Sequence, residues 1–149
     1  MLHRHPFLGL LTLLYAGFVG LVTLTPGSGT PDYYGLATRV LARMQRYPEL
    51  DPLTYRLSVE RIEFLANIGL FVPLGMFVLL LVGTRLWWVA LAGGIVVTSM
   101  IEAVQKEIPG RVSDPRDVAA NTIGMFLGIF LAIVLTLPAT LRRNRQRQG

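Results

Sequence analysis

Seven side chains between residues 67 and 121 are of types that do chemistry: Asn67, Glu102, Gln105, Arg111, Asp114, Asp117 and Asn121. Two kinds of chemistry suit such a set. In one, Arg111 pairs an anionic group through its planar fork while Asn67, Gln105 and Asn121 fix the orientation of a bound ligand by hydrogen bonds. In the other, Glu102, Asp114 and Asp117 hold a hard divalent cation by oxygen ligands and Arg111 meets phosphoryl oxygens, which is the equipment of an enzyme acting on a phosphate. The first needs no cofactor; the second needs a metal. The chain has no cysteine, so disulfides, thiolate metal sites and cysteine nucleophiles are excluded. Its two histidines, His3 and His5, lie near the N-terminus, far from the cluster.

Spacing argues that these residues share a surface. Glu102 and Gln105 stand at i and i+3, on one side of a helix and about 4.5 Å apart along its axis. Asp114, Asp117, Asn121, Gly124 and Gly128 step by threes and fours, a stripe that is polar at one end and glycine at the other. Capping accounts for part of this. Asp114, Pro115 and Asp117 fit an N-cap, a proline at the first helical position and an acidic third residue. It does not account for Arg111, Glu102, Gln105 and Asn121 at the same place. A structural network of ion pairs and hydrogen bonds is the plain alternative, because such networks also hold helices together.

The elements that position the cluster are apolar. The 149 residues are 52% hydrophobic and only 15% charged, which is membrane-protein composition. Four runs reach the roughly 20 residues needed to cross a hydrocarbon core, at about 7–25, 64–82, 86–104 and 118–138. An all-α, four-helix integral membrane protein in a single domain over 1–149 is therefore expected, with a loop at 26–63 and a basic tail at 139–149. The first run lacks an Ala-x-Ala cleavage site and leads into "TLTPGSGTP", a helix end and turn, so it reads as a retained helix. Small residues let helix backbones approach closely in lipid, so Gly69, Gly75, Gly124 and Gly128 are expected at helix contacts, with Gly93 and Gly94 in support. Pro73 is expected to free a carbonyl in the second helix. Within the loop, "YGLATRVLARMQRYP" sets Leu36, Val40, Met44 and Tyr47 against Arg39, Arg43 and Arg46, an amphipathic helix for the membrane interface.

Charge orients the bundle. With both termini cytoplasmic, the inner side holds Arg4, Arg85 and the "RRNRQR" tail with no acidic residue, and all nine acidic residues fall outside. The basic tail then serves as a topology anchor at anionic lipid rather than a nucleic-acid site. In this arrangement the polar cluster gathers at the outer ends of the second, third and fourth helices. A channel or pump is disfavoured, because the first two helices carry no charge at mid-depth.

Asn67 with "LFVPLG", then "EAVQ", then "GRVSDPRDVAANTIGMFLG" resembles the VanZ-like family of small bacterial membrane proteins, over roughly Glu63 to Gly128. The resemblance implies the bacterial cytoplasmic membrane and an association with resistance to teicoplanin, a lipid-tailed glycopeptide. It also implies that Asn67, Glu102, Gln105, Arg111, Asp114, Asp117 and Asn121 occupy the family's motif positions. Two departures stand out: Arg116 lies between the two aspartates, and the loop lacks the family's Asn-Leu-Ile-Pro-Phe run. Two functions follow as expectations. The first is a binding protein for a lipid headgroup, a lipid-linked wall precursor or a lipoglycopeptide; the alternative is an intramembrane, metal-assisted enzyme on a lipid-linked phosphate.

Overall fold

The computed structural model describes residues 6–24, 42–47, 58–108 and 115–145. Four long helices account for most of them: α1 (Pro6–Leu24), α2 (Val59–Val82), α3 (Trp87–Lys106) and α4 (Pro115–Arg145). All four are long and apolar enough to cross a membrane. Of the amphipathic loop segment only 42–47 is described; residues 42–44 are helical, with Met44 half-buried and Arg43 and Arg46 exposed.

Two helices outrun their expected limits. α2 begins at Val59, not at 64, because Ser58 caps it: its Oγ accepts from Arg61 N at 3.3 Å, and Glu60 sits in the first turn at the positive end of the helix dipole. α4 starts at Pro115, where the missing N–H costs nothing, and Asp117 is the acidic residue of its first turn. It continues through Pro138 to Arg145, so much of the basic tail is helix. Gly83 ends α2 at φ 91°, a backbone region that glycine favours, and its N–H returns to the Leu79 carbonyl at 2.7 Å. A short 3-10 turn, Thr84–Leu86, then reverses the chain into α3.

Helices do not associate in lipid through a hydrophobic driving force, so close approach and interhelical hydrogen bonds must hold them. The tightest seam joins α2 to α4. A Cβ at Gly128 would collide with the Val72 carbonyl oxygen and lie 2.9 Å from Met76 N. One at Gly124 would strike the Ile68 carbonyl and come within 2.8 Å of Phe71 Cβ, and one at Gly75 would strike the Met125 carbonyl. These obstacles are mostly backbone and cannot swing aside. Gly94 faces only the flexible Met125 side chain. Gly69 corrects the sequence expectation: a Cβ there meets nothing within 4 Å, as at Gly93, so neither brings two helices together. Along the seam, Phe71, Leu74, Met125 and Val19 form one buried cluster and Leu79, Ala90, Ile129 and Ala132 another.

Tyr15 fastens α1 to α2. Its ring meets Phe77 edge-on, with centroids 5.6 Å apart, and its hydroxyl donates to the Leu70 carbonyl at 3.0 Å. Pro73, within α2, offers no N–H to the Gly69 carbonyl, the neighbour of this acceptor.

Candidate functional site

Antiparallel threading brings four helix ends to one face: the C-terminal ends of α1 and α3 and the N-terminal ends of α2 and α4. Three carboxamides bond across them, each between a different pair of helices. Asn67 Nδ2 donates to Asp117 Oδ1 at 2.8 Å, joining α2 to α4. Asn121 Nδ2 donates to Thr98 Oγ1 at 2.8 Å, joining α4 to α3. Gln105 Nε2 donates to the Thr23 carbonyl at 2.8 Å, joining α3 to α1. Tyr15 on Leu70 completes the circuit from α1 to α2. The bundle is laced in a closed ring.

Each link has a local cause. Thr23 is in the last turn of α1, where carbonyls lack intrahelical partners, so Gln105 supplies a donor that the helix cannot. Asp117 sits in the first turn of α4, where the dipole favours a carboxylate. Ala90, Gly94, Thr98, Glu102 and Gln105 are the buried stripe of α3, spaced by fours and a three, so Thr98 lies one turn deeper than Glu102. Asn121 is 4% exposed and Thr98 1%, and the second amide atom of Asn121, Oδ1, has no hydrogen-bond partner among the described residues. Exchanging oxygen and nitrogen would leave a nitrogen orphaned there, so a buried polar atom, worth about 1–3 kcal/mol, stays unmatched either way.

Inside the ring lies a cavity of about 270 Å³. Its polar lining is Thr23, Glu63, Asn67, Gln105, Asp117 and Asn121, and Val22, Ala66 and Leu70 supply apolar surface beside them. Asn121 sits six residues into α4, so the polar lining descends roughly 9 Å below the helix end.

The structure thus brings together Asn67, Gln105, Asp117 and Asn121 around one space. Glu102 is buried in the same stripe, 7% exposed, but does not line the cavity. Arg111 and Asp114 lie outside the described residues. Among the described residues no three of His, Asp and Glu come together as a metal would require; of the alternative metal trio, only Glu102 and Asp117 are described. Four polar residues escaped the sequence reading, Tyr15 of α1 among them. Thr98 and Glu63 stand four residues before Glu102 and Asn67, so extending each polar stripe by one turn finds them. Thr23 takes part through its backbone, which no side-chain pattern signals.

Neither curated proteins nor solved structures offer a match to this chain. A family model does: the one described as VanZ/LLP1 matches residues 11–136, taking in all of α2 and α3, most of α1 and α4, and every residue of the polar ring and cavity. With four membrane-length helices and that match over most of its length, this multi-pass membrane protein belongs to the VanZ/LLP1 family.

Proposed function

We propose that the protein binds the polar end of a membrane lipid or lipid-linked wall precursor in the cavity ringed by Asn67, Gln105, Asp117 and Asn121. The observation that carries this reading is the cavity's mixed lining: amides, carboxylates and a threonine together with Val22, Ala66 and Leu70. A lipid joins the same two kinds of surface, headgroup and chain. Size favours the same ligand. At about 270 Å³ the cavity falls just below the roughly 300–1,000 Å³ of pockets that enclose drug-sized molecules. It admits a headgroup, not a whole glycopeptide. A contribution to teicoplanin-type resistance would then act through the lipid that carries the drug's tail or target.

The basic tail and Arg85 orient the bundle with both termini in the cytoplasm and the cavity toward the outer leaflet of the bacterial cytoplasmic membrane. Arg111 is assigned the anionic group of the ligand, since a planar guanidinium matches phosphate or carboxylate bidentately.

Native mass spectrometry on protein purified in mild detergent, with and without added divalent metal, tests this. Retention of one lipid per protein in both conditions is the expected result. Its absence in both contradicts binding, and release of a dephosphorylated product only with metal would establish the enzyme instead.

A further inference from the structure

Two of the amides that line the cavity have their orientation dictated by the groups they bond. Gln105 Nε2 meets the Thr23 carbonyl and Asn67 Nδ2 meets a carboxylate oxygen of Asp117, and both partners only accept, so exchanging nitrogen for oxygen would set acceptor against acceptor. The nitrogens are spent on the helix contacts. The oxygens, Gln105 Oε1 and Asn67 Oδ1, point away from those bonds and have no hydrogen-bond partner among the described residues. Gln105 is only 6% exposed, and a buried amide oxygen on a cavity lining asks the occupant for a donor. The Thr23 hydroxyl brings none, since it donates back into its own helix, to the Val19 carbonyl at 2.8 Å.

Charge tips the lining the same way. Glu63 and Asp117 add two carboxylates, and the described residues around the cavity include no lysine or arginine. An ionised carboxylate accepts at about four lone-pair sites, so the bond from Asn67 does not exhaust Asp117. Oxygens gathered in this way repel a phosphate and suit a cation that carries N–H donors, because a charge taken out of water has to be both paired and hydrogen-bonded. Resting on the lipid-binding reading above, we infer that the headgroup seated against Gln105, Asn67 and Asp117 ends in a primary ammonium. Its three N–H donors answer three side chains, and the phosphate of the same zwitterion is left to Arg111. Phosphatidylethanolamine has this chemistry. Phosphatidylglycerol has hydroxyl donors without the positive charge, and phosphatidylcholine has the charge without an N–H.

Those three lipids, mixed in equal amounts in bilayer discs, are the probe, and the lipid retained by the protein after gentle solubilisation is counted by mass spectrometry. Phosphatidylethanolamine is expected to exceed each of the others at least fivefold, and its N,N-dimethyl form, with one N–H left, is expected to fall between it and phosphatidylcholine. Asp117→Asn keeps an acceptor for Asn67 and removes the charge, so it is expected to lower the ratio of phosphatidylethanolamine to phosphatidylglycerol at least threefold. A ratio is read only on protein that holds lipid, so poor accumulation does not imitate the effect. A chelator of divalent metals is expected to leave the ratio unchanged. Retention of one lipid with no preference among the three overturns the ammonium while leaving lipid binding intact, and phosphatidylcholine equal to phosphatidylethanolamine overturns the N–H donors. An unchanged ratio in Asp117→Asn removes the ammonium from this lining, and a ratio that collapses with chelator puts a divalent cation there instead. No retained lipid of any kind removes the lipid-binding reading itself.

Discussion

Asn121 and Thr98 share a hydrogen bond of 2.8 Å at a depth where almost no solvent reaches either side chain. They join α4 to α3 a full turn below Glu102, and Asn121 lines the cavity there. Interhelical bonds of this kind measure about 0.6 kcal/mol on average in membranes and at most about 1.7. A double-mutant cycle of Asn121→Leu and Thr98→Val, followed by reversible unfolding in mixed micelles, is expected to give a coupling energy in that range. A coupling indistinguishable from zero would mean that the bond does not hold the helices.

The glycine seam makes a sharper distinction. Gly128→Ala and Gly124→Ala drive a methyl into backbone of α2 and are expected to cost about 1–3 kcal/mol, with reduced accumulation in the membrane. Gly69→Ala and Gly93→Ala add a methyl to open space and are expected to stay within about 0.5 kcal/mol of wild type. Thermal denaturation of the four variants checks the order, and equal losses at Gly69 and Gly128 would contradict it.

What the sequence reveals and conceals follows from the reach of each interaction. Glu102, Gln105 and Asn121 were legible as buried because helical spacing assigns faces without knowing the partner. Gly69 and Gly75 carry the same local signal, yet only Gly75 meets a neighbour; two crossing helices touch along one seam, and its register depends on both. The start of α2 was within reach, since Ser58 and Glu60 spell a helix N-terminus. The closed circuit of bonds was not, because two of its four acceptors, at Thr23 and Leu70, are backbone carbonyls.

Asp117 permits a separation of charge from lacing. In Asp117→Asn the new amide oxygen can still accept from Asn67, so folding and accumulation are expected to be near normal. Lipid retention is expected to fall, because the carboxylate on the cavity wall is lost. Asp117→Leu removes the acceptor as well, leaves Asn67 without this bond, and is expected to cost a further 1 kcal/mol or so of stability. Retention and thermal stability measured together on both variants distinguish the roles, and full retention by Asp117→Asn would release the carboxylate from the site.

Orientation is open to a simple check. A reporter that is active only in the cytoplasm, fused after Gly149, is expected to be active, and one that requires export is expected to be silent. The reverse pattern would turn the cavity toward the inner leaflet.

The central claim is that a lipid headgroup occupies the ring, and locating that headgroup tests it most directly. Protein in bilayer discs is irradiated with a phosphatidylethanolamine that carries a photoreactive diazirine on its headgroup, and the modified residues are mapped by peptide mass spectrometry. The account predicts labelling at Asn67, Gln105 or Asn121, which line the cavity, and its loss in Ala66→Trp. Labelling confined to lipid-facing residues such as Leu13, Val96 and Phe130, unchanged in that variant, would contradict it.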